Sequence, residues 1–327
     1  MTRPPRALVL GGLLVLVLAL AVLSLQAGRV WVPFAAWTDQ ADPRWSIIFD
    51  LRLPRTLLAV LVGAALGMSG AAMQGYTRNP LADPGALGVS AMAAFGAVLT
   101  LYFGAGAQQP WVIATAAMAG AFIAVLLLLA LSGASSSIVT FVLAGVILQT
   151  LAGAGVALAL SLAPNPWAVS EIVNWLMGSL ADRSAPEVQL AAPFILAGCG
   201  LLLLTGRGLD ALMIGETGAR SLGVNLAAVR WLMAVGVALA TGASVAVTGV
   251  VGFVGLIVPH LLRPLVGARP GALLIPSAAG GAVLVLAADI AVRLTPSAAE
   301  VKLGVAMAAL GGPFFFALLL SMRRRIA

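Results

Sequence analysis

Few residues in this chain are equipped for chemistry. FDLRLPRTLLAV, residues 49–60, sets Arg52 and Arg55 three positions apart around Pro54, at the start of a long apolar run. Arg293 follows Asp289 by four residues at the end of another such run. A guanidinium fork grips a carboxylate through two parallel hydrogen bonds, or anchors to a headgroup phosphate. Asp289 has two readings, a proton relay or an i,i+4 pair with Arg293, and the pair is favoured. His260 is the only histidine and Cys199 the only cysteine, so no metal site, no haem site and no internal disulfide are expected. His260 reads as a helix-end hydrogen bonder. In NPLADP (79–84), Asn79 and Asp83 read as turn residues bonding nearby backbone. The only lysine, Lys302, lies between Val301 and Leu303, so the chain carries no G-x-x-x-x-G-K-[ST] phosphate cradle.

The elements that must hold these groups follow from composition. The 327 residues are 61% hydrophobic and 9% charged, whereas soluble domains carry about 25% charged residues. The chain reads as a polytopic membrane protein, and its spans must be helices because unpaired backbone cannot face lipid. Ten spans are predicted at 7–25, 56–75, 86–103, 111–131, 138–162, 188–205, 228–248, 250–266, 272–292 and 303–320, in a single membrane domain over 1–327. The first apolar stretch is too long for a signal-peptide core and reads as a span.

Arginine in short loops sets orientation. The bias, with the RRR tail of 323–325 inside, puts both termini in the cytoplasm, while Arg29, Arg44, Arg52, Arg55, Arg183 and Arg293 fall outside. The net charge of +7 is spread over many loops, which points to anionic lipid rather than nucleic acid. Trp31, Trp37 and Trp45 mark an interfacial stretch, and Val169–Leu180 an interfacial or half-inserted helix, the alternative being a simple loop.

Gly63, Gly70, Pro80 and Gly88 recur at a constant spacing as Gly242, Gly249, Pro259 and Gly267. The second and seventh spans would run in opposite directions, so spans 2–5 and 7–10 form an inverted repeat. Gly63 and Gly67 make a G-x-x-x-G surface for close helix packing.

RLPRTLLAVLVGAALGMSGAAMQGYTRNPLADPGALGVSA (52–91), LMIGETGARSLGVN (212–225), VVGFVGLIVPHLLRPLVG (250–267), AADIAVRL (287–294), EVKLG (300–304) and GGPFFFALLL (311–320) together resemble the FecCD-type permeases of ABC importers for iron-siderophores, haem and cobalamin. The resemblance implies a permease subunit that is not itself an enzyme, with no cofactor. Its partners would be cytoplasmic ABC ATPase subunits, an external substrate-binding protein and a second permease copy or paralogue. An iron-siderophore is the first substrate expectation, haem or cobalamin the alternative. The resemblance gives Arg52, Arg55 and Arg293 the role of docking acidic residues of the binding protein. It makes Gly215, Glu216, Ala219, Arg220, Leu222 and Gly223 the ATPase-coupling segment, otherwise a solvated loop. It also sets an inner gate at the start of the fifth span. Ile138 and Val139 stand there instead of small hydroxyl residues, with Ser135–Ser137 and Thr140 as neighbours. An ion-coupled secondary transporter, needing Asp289 and no ATP, is the competing class, and a structural scaffold a third.

Overall fold

The computed structural model describes residues 4–28, 30–104, 110–132, 138–296 and 300–326. Every regular element among them is helical. The chain runs through α1 (Arg6–Gln26), α2 (Leu53–Thr77), α3 (Val89–Tyr102), α4 (Pro110–Ser132), α5 (Ile138–Ser161) and the amphipathic α6 (Pro166–Leu176). It continues through α7 (Ala185–Leu204), the short α8 (Gly206–Leu212) and α9 (Glu216–Ser221), α10 (Leu226–Thr248), α11 (Val254–Val266), α12 (Pro270–Leu294) and α13 (Leu303–Ile326). Seven of the described helices are long and apolar enough to cross a membrane, and shorter apolar helices at Val89–Tyr102, Val254–Val266 and Leu303–Leu318 complete the ten expected spans. The chain is a multi-pass membrane protein.

Burial sorts the helices. The apolar windows of α2 and α10 are each 78% buried, whereas that of α1 is 11% buried and leaves its leucines for lipid. At the centre, α2 lies against α12. A Cβ added at Gly63 would meet the Gly281 carbonyl, and one at Gly67 the Ser277 carbonyl. Backbone-to-backbone contact of this kind is the packing that small residues permit in a membrane. The same relation recurs in the other half, where Gly242 of α10 faces Ala121 of α4. The first helix of each half thus packs on the third helix of the other half.

Two helices begin part-way through the bundle. The residues before α3 return inward through a 3₁₀ turn, Pro84–Leu87, and Gly88 caps the helix with φ +73°. Asp83 Oδ1 accepts the Gly85 N–H at 2.8 Å, the turn role expected of it. Residues 249–253 return without any regular turn, and Phe253 caps α11 with φ +68°. Both left-handed caps rest on a glycine of the last helix in their half, Gly88 on Gly145 of α5 and Phe253 on Gly311 of α13. This pairing is the structural signature of the inverted repeat. It also corrects the sequence register beyond the first helix of each half. Pro80 lies in a turn while Pro259 lies inside α11, and Gly88 starts a helix while Gly267 ends one. The two linkers differ in length, so one constant offset cannot hold across them.

Candidate functional site

At one end of the bundle the predicted arginines converge with Asp289. A π-helical turn, Ile47–Arg52, feeds straight into α2, with Pro54 in its first turn where a missing N–H costs nothing. That turn aims Arg52 back at α1. Arg52 Nη1 donates to the carbonyls of Leu25 (3.0 Å) and Gln26 (2.7 Å), and Nη2 to that of Val30 (2.5 Å). Arg293, from the last turn of α12, donates to the Ser24 carbonyl at 2.9 Å, the Ala27 carbonyl at 3.2 Å and the Ser24 hydroxyl at 2.6 Å. Two guanidiniums from two helices thus satisfy the orphan carbonyls that end α1, and their charge complements its dipole.

Arg55 points the other way, across to α12. Its Nε and Nη2 donate to Asp289 Oδ1 at 2.9 and 2.8 Å. Its Nη1 and Nη2 reach the two oxygens of Glu300, on the approach to α13. Asp289, with no exposed side-chain surface, also pairs with Arg293 at 3.1 Å. The favoured intrahelical pair is therefore present, and Arg55 adds a second cation from another helix. A carboxylate gripped from two sides has no free position from which to pass protons. Side-chain exposure is 11% for Arg55 and 7% for Arg293, and Arg52 is 8% exposed. These groups face protein, which removes the headgroup-anchor reading. Above them opens a depression of about 220 Å³ lined by Arg52, Arg55, Arg183, Arg293, Asp182 and Glu300, among others. Arg183 Nε is buried without a hydrogen-bond partner among the described residues, and burial holds that guanidinium below its ordinary value against the opposing pull of Glu187 and Asp182.

The opposite end carries the predicted coupling segment. Gly215 starts α9 at φ +93°, a conformation strained for any side chain, and Gly223 follows its end at φ +80°. Glu216 and Arg220 form their i,i+4 pair at 3.8 Å. Ala219 is fully buried, while Met213, Ile214 and Leu222 are 53%, 63% and 67% exposed. The short helix is pinned by Ala219 and flanked by exposed Met213, Ile214 and Leu222, with Arg220 beside them. Glu216 Oε1 also accepts the backbone N–H of Ile138 at 3.2 Å, so α9 holds the first residue of α5. Ile138 is buried and Val139 is exposed; Ser135–Ser137 lie outside the described residues. Nearby, Arg230 Nε donates to Tyr76 Oη at 3.3 Å and ties α10 to α2.

Residues 14–321 match the FecCD transport family. The chain belongs to that family. It is 38% identical to the hemin transport system permease protein HmuU of Yersinia pestis, covering 97% of each chain. It is 39% identical to the vitamin B12 import system permease protein BtuC of Vibrio cholerae, over 92% of this chain and 90% of that one. A solved structure described as an inward-facing conformation of a metal-chelate type ABC transporter superposes with a TM-score of 0.86 at 34% identity, covering 95% of this chain and 98% of that one. This FecCD chain is thus a permease of the ABC importer type, as its motifs implied. Its relatives are permease subunits, which leaves ATP hydrolysis to a separate subunit.

Sequence reasoning missed three parts of the FecCD site. Glu300 lay inside the quoted EVKLG motif, but nothing local marks it as the second acid on Arg55. Ser24 looked like an ordinary residue of an apolar span. The reach of Glu216 to Ile138 crosses 78 residues, and no spacing rule predicts it.

Proposed function

We propose that this chain is the path-forming subunit of a binding-protein-dependent importer for a large metal chelate, acting as one membrane unit over 1–327. The substrate class is an iron-siderophore, haem or a corrinoid. Relatives named for hemin and vitamin B12 put those two beside the siderophore expectation. The α9 end faces the cytoplasm with both termini, and the arginine end faces outward. Two permeases, identical or paralogous, pair with two ATPases in the cytoplasm and one binding protein outside.

The observation that carries this reading is the α9 segment. Its apolar strip of Met213, Ile214 and Leu222 stands exposed at a polar end of the protein, while Ala219 and the Glu216–Ile138 bond fix it to the bundle. Exposed apolar side chains flanking an anchored short helix suit a protein partner that pushes. At the other end, the arginine-lined depression suits an acidic partner, which supports reading Arg52, Arg55 and Arg293 as the docking floor. The ion-coupled reading needs an available Asp289, and its enclosure by two arginines speaks against it. The test is uptake into proteoliposomes, with labelled ferric siderophore, hemin and cobalamin as separate probes. Uptake should require ATP, the ATPase and the binding protein together. Concentrative uptake by the permease alone under an ion gradient would overturn the reading.

A further inference from the structure

Arg55 holds two carboxylates of unequal standing. Asp289 is wholly enclosed and shared with Arg293. Glu300 keeps 30% of its side-chain surface, lines the outer depression, and makes its side-chain hydrogen bonds among the described residues to Arg55 alone. One edge of the guanidinium is committed to the fold. The other edge is covered by an acid that water already reaches.

We propose that Glu300 is a built-in stand-in for a carboxylate of the docking partner. An acidic residue of the binding protein displaces it from the Nη1/Nη2 edge of Arg55, and Glu300 turns out to solvent. The inference rests on the reading that the arginine depression receives the binding protein, and it names the position where exchange happens. Replacing one carboxylate by another leaves no buried charge unpaired at either end state, so the step avoids the penalty of stripping a partner from an enclosed ion. It also solves a problem of the docking assignment, since Arg52, Arg55 and Arg293 each already bond to internal partners.

Exchange has a structural consequence in this chain. Glu300 leads into α13, and two polar ties among the described residues hold the start of that helix. One is the Glu300–Arg55 pair to α2. The other is Gly304, whose N–H donates to the Gly178 carbonyl at 3.2 Å and which sits against the Met177 and Val250 carbonyls. Docking would cut the first tie and keep the second, loosening residues 300–303 while the helix start stays in place.

The test uses the assembled permease and ATPase in nanodiscs, titrated with the binding protein that supports ATP-driven uptake. Glu300→Gln weakens the competitor and should tighten binding by roughly ten-fold, as expected when a charge pair no longer has to be displaced. Arg55→Gln should weaken binding. In the wild type, docking should speed amide exchange over 300–303; in Glu300→Gln that exchange should already be fast before docking. If Arg55→Gln weakens binding but Glu300→Gln leaves it unchanged or weaker, the stand-in role is overturned and the docking assignment survives. If Arg55→Gln has no effect on binding, the docking assignment itself fails and the stand-in role with it. Should Glu300→Gln not assemble, Glu300→Asp, one methylene short of Arg55, should give a smaller gain in affinity, and an unchanged or weaker affinity there counts equally against the proposal.

Discussion

Arg55 Nη2 lies 2.8 Å from Asp289 Oδ1, joining residues 234 positions apart in the chain. The bond crosses the α2–α12 contact at the same end where Arg293 grips the other Asp289 oxygen. One enclosed carboxylate therefore balances two cations from two helices. Asp289→Asn should lower stability by about 3–5 kcal/mol, the usual cost of removing one partner from a buried pair. Thermal melting in detergent would show it. Any folded Asp289→Asn protein should keep the wild-type dependence of uptake on external pH, and loss of that dependence would restore the proton-relay reading.

Arg52 closes the end of α1 with three carbonyl bonds. Lysine offers a point charge instead of a planar fork and cannot reproduce that set. Arg52→Lys should speed amide exchange around Ala27 by on the order of ten-fold, since each bond to a charged donor contributes roughly 1.5–3 kcal/mol. Exchange elsewhere in the bundle should be unchanged. Hydrogen-exchange mass spectrometry reads both.

Gly67 lets α2 touch the backbone of α12 at Ser277. Gly67→Val should destabilise by at least about 1–3 kcal/mol, because backbone cannot move aside as a flexible side chain can. Gly153 of α5 has open space where a Cβ would go, so Gly153→Ala is expected to melt like the wild type. Paired melting curves in one detergent check the contrast.

Leu222 projects from the end of α9 with 67% of its surface exposed. Leu222→Glu should leave folding intact and weaken ATPase binding by ten-fold or more, given about 1.5–3 kcal/mol for burying a leucine. Co-purification of the ATPase with the permease measures this directly.

Glu216 joins α9 to the first turn of α5 through Ile138. Glu216→Gln retains an acceptor for that N–H, and Glu216→Ala removes it. The alanine variant should bind the ATPase yet lose several-fold in ATP-driven uptake, with glutamine near wild type. Equal losses in both would trace the defect to the pair with Arg220 instead.

The sequence located all ten apolar spans because apolar length is a local property, and the short helix α9 because glycines bracket it; the coupling role read there came from the family resemblance. Gly215 and Gly223 sit where positive φ is needed, and that signal is readable from residue type alone. Other features depended on distance. The apolar residues before α3 and α11 look like helix from composition, yet they are the returning segments capped by Gly88 and Phe253. Hydropathy cannot separate a half-depth turn from a helical one. The three arginines were legible as a group, but their partners were not. Carbonyls of α1 and a glutamate beyond residue 296 come to them only through folding.

Between the arginine cluster and the α9 end runs α2, an uninterrupted helix of 25 residues. At 1.5 Å per residue it spans about 37 Å, with no proline beyond its first turn. A strut of that length has no joint at which to absorb motion. A lean of about three degrees at one end becomes a shift of roughly 2 Å at the other, by the helix rise alone. Tilt at the arginine end is therefore carried to the α9 end along a stiff rod, beside the equally long α12, which contains Pro276.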